Sequence, residues 1–313
     1  MAGVILRSSD FRAVVEPILN KVYDGVYNQR DKEYTKVFGD ENGIPRSYHE
    51  EPFLYGFGNA PQLPDGQPVT YDQGGVLYSA RGYYQVYGLA FALTKVLVED
   101  GDHVRLGKIY SQHLAQSMVE TEETLPANVI NRAFTAGAYV WGDGSALCVN
   151  NHLAAPGSVA AANDPSRSNL LTTSAALSQT SLEQMLIQLR QAKDPRGKNI
   201  KLNADALVVS PSNILQAEVL LKSVLRAGTN NNDLNPVKSA GLLDKVVTLS
   251  RLTSSTAWFI KTDAQQGLRM LWRRRIEKSM EGDFETDSVR YKSTFRVVPF
   301  LTDWRTLYGT PGI

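Results

Sequence analysis

The four histidines and single cysteine are the side chains with which this sequence could run nucleophilic or acid–base chemistry, and their spacing argues against it. Cys148 and His152 form the one nucleophile–base candidate. If the residues between them are extended, the two side chains share a face but stand ~13 Å apart at about 3.3 Å per residue, beyond proton-transfer reach. A buried strand cysteine is the ordinary reading of Cys148. His49 sits beside Glu50 and Glu51 in a stretch rich in glycine and proline, the setting of a polar loop. His113 has Gln112 and Gln116 nearby and no carboxylate at helical spacing to orient it as a base, while His103 falls in the first turn of an expected helix. Gly142-Asp143-Gly144-Ser145 lacks the third glycine and the Lys-Ser/Thr pair of a phosphate loop, and Gly197-Lys198 lacks the upstream glycine. No H-E-x-x-H, G-x-S-x-G or calcium-loop pattern occurs, and no Cys/His cluster offers four zinc ligands. The sequence therefore assigns no catalytic residue, no cofactor-binding residue and no metal ligand.

Composition narrows the classes further. The 313 residues are 42% hydrophobic and 21% charged, ordinary values for a folded chain. Thirty-three Lys and Arg against 32 Asp and Glu leave a net charge of +1, without the basic excess of a dedicated nucleic-acid binder. One cysteine cannot form an intramolecular disulfide. No stretch approaches the ~18 to 20 apolar residues of a membrane span, and the apolar run at Val4-Ile5-Leu6 is short for a secretory signal. The default expectation is a cytoplasm-like compartment, with no membrane partner.

The elements that would position any functional side chain follow from hydrophobic periodicity. Phe11, Val14, Val15, Ile18 and Leu19 fall at helical spacing behind Asp10 as a cap, and Pro17 argues against one long helix. A second amphipathic piece runs from Val22 to Phe38, so residues 1–38 read as an arm. Residues 39–94 hold nine of the 24 glycines, five of the 14 prolines and seven of the 14 tyrosines. The dense turn chemistry at Gly56 to Gly66, followed by β-formers from Val76 to Tyr87, predicts a long aromatic β-hairpin. A two-stranded hairpin alone is marginal in water, so its aromatic face calls for cover, with a second copy of the chain the favoured source and a packed β-subdomain within one chain the alternative.

Leu106, Tyr110, Leu114 and Met118 then repeat every four residues behind Asp102 as a cap, predicting a helix to Arg132, bent at Pro126 and roughly 45 Å long at ~1.5 Å per residue. Gly137 and Trp141 to Gly144 close it, and Ala146 to Val149 reads as a short strand. Leu182, Met185, Leu186 and Leu189 mark a helix ended at Asp194-Pro195-Arg196-Gly197. Ala206 to Val209 is a buried strand, Ser210-Pro211 starts a helix that runs to Gly228, and Val246 to Leu249 and Trp258 to Lys261 are further strands. Leu268 to Trp272 and Phe295 to Val298 return to β. Between them lie basic Arg273, Arg274 and Arg275, then acidic Glu281, Asp283, Glu285 and Asp287. Opposite charges in blocks suit pairing between subunits better than binding a polyanion; a solvated strand edge is the plain alternative.

The order of these pieces resembles the α+β Hong Kong 97-type fold of tailed-bacteriophage major capsid proteins, and several stretches are most similar to the Mu-type major head subunit. Those stretches are Ala127 to Phe134, Asp143 to Leu147 with His152, Leu177-Ser178, Lys193 to Lys198, Leu207 to Pro211, Asn231 to Pro236, and Ala257 to Ile260 with Gly267-Leu268. The resemblance implies an N-terminal arm at 1–38, an extended β-hairpin loop at 39–99, a P domain with a spine helix at 100–149, an A domain at 150–265, and closing P-domain strands with the C-terminus at 266–313. It also implies assembly in the host cytoplasm into hexamers and pentamers of an icosahedral virion shell. The implied partners are further copies of the chain, a portal, scaffold or cement proteins, and packaged double-stranded DNA lying close to the wall without specific binding. The expected contacts between subunits are Tyr55, Phe57, Tyr83, Tyr84 and Tyr87, with Trp272, Arg273 to Arg275 and Glu281 to Asp287 near local symmetry axes. No lysine lies between Lys36 and Lys95, so no lysine-based crosslink of the loop is expected, and the length leaves little room for an N-terminal scaffolding domain. An encapsulin-type nanocompartment shell is the alternative of the same architecture, and a soluble α+β enzyme is the third.

Overall fold

A computed structural model describes residues 8–94, 103–137, 142–156, 158, 164–226, 233–283 and 288–313. Asp102, Trp141, Gly228, Asn231, Asn232, Glu285 and Asp287 lie outside them.

The first helix, α1, spans Ser8–Tyr27 straight through Pro17. The expected interruption is absent because tertiary burial outweighs the lost hydrogen bond: Val15, Leu19 and Tyr23, four residues apart, are buried in one stripe. Asp10 lies inside the helix, two residues past Ser8, the first described residue. α1 packs on α2, His103–Asn131, the long helix that Pro126 fails to break. The turn after α1 is also fixed, since Glu123 of α2 accepts from the backbone N–H groups of Glu33 and Tyr34 at 2.8 and 3.1 Å. Tyr34, Val37 and Phe38 join the same core. The segment expected as a loose arm is, from Val15 onward, part of the body.

The main sheet has the order β1-β8-β9-β4, with β1 Gly39–Asn42, β4 Gln85–Thr94, β8 Arg269–Asp283 and β9 Ser288–Phe300. β1 runs parallel to β8, whereas β8 with β9 and β9 with β4 are antiparallel. Met270, Trp272, Tyr291, Phe295 and Val297 line its inner face against α1 and α2. Of residues 39–99, expected as one loop, the described part 39–94 divides: β1 and β4 belong to this sheet, and β2 Tyr48–Tyr55 with β3 Gly75–Tyr83 forms a separate two-stranded antiparallel hairpin.

A second sheet, order β10-β7-β5-β6, is built from β5 Ala204–Val209, β6 Val246–Thr248, β7 Trp258–Thr262 and β10 Leu307–Thr310. Alternation along β5 splits its faces: Ala206 and Val208 join the core around α2, while Leu207 and Val209 face α3 Gln179–Arg190 and α4 Ile214–Lys222. Leu182, Met185, Leu186 and Leu189 are buried there, as their spacing predicts. α4 starts later than Ser210-Pro211 implies, because Pro211–Asn213 forms a 3-10 turn first, and it stops at Lys222. Four residues, Pro236–Ser239, make the short α5. The expected strand at 146–149 does not form: Cys148 N–H donates to Ala133 O at 2.8 Å and Val149 N–H to Asn169 Oδ1 at 2.9 Å. The closing segment also divides, since β10 pairs with β7 and carries the chain's end into the second sheet.

Candidate assembly surface

The hairpin presents two chemically different faces. Its inner face sits on the body: Ala80 and Tyr84 join Leu271, Val298 and Phe300 in a small core of their own. Phe53 stacks on Tyr78 with centroids 5.0 Å apart, and the Tyr78 hydroxyl donates to Thr302 O at 2.9 Å. Gly82 is required here, because a Cβ would run into the ring of Phe300. Glu51 anchors the root. Both its oxygens receive Arg269 in a two-pronged ion pair, at 3.0 and 2.5 Å, and the Thr302 hydroxyl donates at 2.7 Å. His49 Nε2 lies 2.9 Å from the same carboxylate. Burial pushes the Glu51 carboxyl up, but the bonds from Arg269, Thr302 and His49 outweigh it and hold the group down at about 2. The tip reaches the second unit through Asp72, which receives Arg196 Nη2 at 2.6 and 2.7 Å, and through Lys198 Nζ donating to Phe57 O at 2.6 Å.

The outer face is bare. Leu54 and Val76 are direct cross-strand partners and are 64% and 56% exposed. Beyond them Phe57 is 61% and Tyr71 94% exposed, with Leu63 and Val69 also open. On β4, the edge strand of the main sheet, Val86 and Leu89 are also exposed, on opposite faces of the strand. These side chains lie outside the three buried clusters of the described residues, and exposed apolar surface gathered on one hairpin is suited to an interaction site.

The expected contact residues separate along these lines. Phe57 and Tyr83 are exposed on the hairpin. Tyr55 is half-buried under the guanidinium of Arg196, 5.5 Å from its ring centre, and Tyr87 is half-buried on Phe295 at 5.4 Å. Tyr84 and Trp272 are corrections: both are buried in the chain's own cores, Tyr84 where the chain passes from β3 to β4, Trp272 on the inner face of β8. Arg273 is exposed. Arg274 pairs with Glu277 at 3.3 Å, and Arg275 pairs with Asp40 at 3.0 Å while covering the Trp272 ring at 4.9 Å. Glu281 is exposed opposite Arg290 across β8 and β9, and β8 ends at Asp283. Sequence reasoning missed Leu54, Val76 and Tyr71. A register shift between Phe53 and Leu54 sets Leu54 opposite Val76, and alternation along the strands discloses neither that shift nor which face the body covers.

Of the histidines first singled out, His49 lies against Glu51 at 2.9 Å and His152 against Asp143 at 2.8 Å. Cys148 is fully buried, and that burial pushes its thiol well above the usual range. Among the described residues no His, Cys, Asp and Glu group could hold a metal ion, and no helix is long and apolar enough to cross a membrane.

A spine helix beneath a four-stranded sheet, a projecting hairpin and an α/β unit with a mixed four-stranded sheet define the Hong Kong 97-type capsid fold. The model of a family described as phage capsid protein matches residues 85–309, and the chain belongs to that family. No match is found among curated proteins. The fold is similar to that of a solved protein of Mycobacterium phage Patience, at TM-score 0.55 and 10% identity over 96% of this chain and 86% of that one. It is also similar to the capsid structure of cyanophage P-SCSP1u, at TM-score 0.52 and 9% identity over 90% and 88% of the two chains. A virus-like particle from Pyrococcus furiosus gives TM-score 0.50 and 8% identity over 94% and 98%.

Proposed function

We propose that this chain is the major head subunit of a tailed phage, assembling in the host cytoplasm into hexamers and pentamers of a closed shell that encloses double-stranded DNA. The observation that carries this reading is the bare apolar strip of Leu54, Val76, Phe57 and Tyr71, on a hairpin whose other face is already bound to the body. A strip of that composition is suited to protein contact, and many modest contacts on a closed lattice sum to a stable wall. Phe57, Tyr83, Arg273 and Glu281 are among the expected contact residues that stay exposed, as are Arg274 and Arg275 beside their ion-pair partners. The proposed role is structural: no catalytic group is assigned. A portal is the partner that admits DNA, and near-neutral charge suits a wall that must not grip it.

The test is assembly itself. Purified chain, with co-expressed scaffold if needed, is expected to give closed shells by electron microscopy, and Leu54→Asp with Val76→Asp to leave small oligomers of folded protein. Unchanged shell yield from the double variant would refute the assignment of the strip. The likeness to the Pyrococcus particle favours a second reading, a nanocompartment around protein cargo. Shells filled with a co-purifying enzyme, rather than empty or carrying DNA, would decide for it.

A further inference from the structure

His152 was set aside as a catalytic base, yet it is 1% exposed and lies at the joint between the two sheets. Its ring stacks on Trp304 with centroids 4.0 Å apart and planes 6° from parallel. Nδ1 lies 2.8 Å from Asp143 Oδ2, and Nε2 lies 3.0 Å from Asn169 Oδ1. Both neighbours are acceptors. The Asn169 amide cannot be reversed, because its Nδ2 donates to Leu147 O at 2.7 Å, Leu307 O at 2.8 Å and Trp304 O at 3.2 Å, while Oδ1 accepts from Val149 N–H. Reversal would set an NH2 against that N–H and an oxygen against three carbonyls. Asp143 likewise accepts from the backbone N–H groups of Ser145 and Leu153. Burial raises its carboxyl, but the hydrogen bonds it receives outweigh that and hold it below the usual range, so it is a carboxylate and has no proton to give. A neutral imidazole would point a lone pair at an acceptor oxygen on one side or the other, whichever tautomer it took.

We propose that His152 is an imidazolium cation that donates from both ring nitrogens, and that these two bonds pin the joint between the main sheet and the second sheet. The pin gathers three segments: the turn and crossover after α2 through Asp143 and His152, the loop at Asn169, and the 301–307 link from β9 to β10 through Trp304 and Leu307. Other charged and titratable groups surround it. Arg167 donates to the His152 carbonyl, Arg305 lies over the Trp304 ring at 4.4 Å and pairs with Asp303 at 3.1 Å, and Tyr78 and Arg132 line the cavity of about 20 Å³ beside the ring. Asp143 is the carboxylate in direct contact with it, and it balances the buried charge. This inference stands on the chain's own hydrogen bonds and holds whether or not the chain builds a shell.

Nitrogen-15 NMR of histidine-labelled protein tests it. At about pH 7 one histidine should carry two ring N–H groups, and its signals should vanish in His152→Gln. If that variant fails to fold, a protein with His49, His103 and His113 replaced by glutamine leaves His152 as the sole reporter. A His152 ring with a single N–H at that pH overturns the proposal. Hydrogen exchange reads the mechanical half: at about pH 7, residues 143–155 and 301–310 should lose protection about tenfold relative to β9 in His152→Gln. An unchanged ratio overturns the pin.

Discussion

Glu51→Gln should free the hairpin from the body without unfolding the body, and the structure sets the size of the effect. A carboxyl moved from its ordinary 4.5 to about 2 corresponds to roughly 3 kcal/mol at about 1.4 kcal/mol per tenfold in proton affinity. The side chain is only partly shielded from water, so screening removes about half, leaving ~1 to 2 kcal/mol. The sign follows from the direction of the shift. A folded value below the ordinary one means that the stabilisation is fully present above about pH 4.5 and disappears as pH falls through about 2. The amide still accepts from Thr302 or Arg269, so the variant isolates charge from shape. The assay is hydrogen exchange at the amides of β2 and β3, which reports local opening. At about pH 7 the variant should exchange about 5- to 30-fold faster in Tyr48–Tyr55 and Gly75–Tyr83, with β9 unchanged. Near pH 2 the two proteins should converge. Equal exchange at neutral pH, or a difference that persists in acid, would refute the view that the Glu51–Arg269 ion pair is the anchor.

Other outcomes are expected of the same contacts. Gly309→Ala should lower the thermal midpoint by an amount corresponding to ~1 to 3 kcal/mol, because a Cβ there runs into the ring of Phe259, itself stacked on Phe134; an unchanged midpoint would mean that this core yields easily. Leu19→Ala should cost ~2 to 5 kcal/mol by opening a cavity between α1 and α2, measured by urea unfolding, and a cost near zero would return the N-terminal segment to the status of a loose arm. The Cys148 thiol, buried and held protonated, should resist thiol reagents in the native protein and react only on unfolding, so rapid native labelling would contradict its placement. Charge reversal of Arg274 and Arg275 should weaken assembly, read as shell yield, although Arg275 also loses Asp40 and must be checked for folding by circular dichroism.

What the sequence disclosed and what it withheld separate along a physical line. Leu182, Met185, Leu186 and Leu189 announced α3, and the four-residue repeat from Leu106 to Met118 announced α2, because helical burial leaves a local periodic trace. Pro17 misled because the penalty of a proline is local while Val15, Leu19 and Tyr23 are secured by elements far along the chain. Tyr84 and Phe57 look alike in a run of aromatics; only the arrival of Phe300 and Val298 from the other end of the chain decides that one is covered and the other open. The His152 cluster was illegible for the same reason, since Asn169 reaches it across 17 positions and Trp304 from near the other end of the chain. Its spacing from Cys148 spoke only against a catalytic pair.

The hairpin's own attachment changes what assembly has to supply. If its whole aromatic surface were bare, a free subunit would expose a large sticky flap and aggregate before it could find the lattice. Here the rings of Tyr84, Phe53 and Tyr78 are packed within the chain, and the Asp72–Arg196 pair steadies the tip. The free subunit is therefore pre-organised: the strip of Leu54, Val76 and Phe57 is held in place before a neighbour arrives, so docking costs less ordering entropy than folding a loose loop would. Because the strip is narrow, each contact is weak and wrongly placed subunits can leave, which a closed lattice needs if it is to correct its errors. Loosening the root through Glu51 should then slow productive assembly even though the apolar strip is untouched, separating the worth of the surface from the worth of holding it in position.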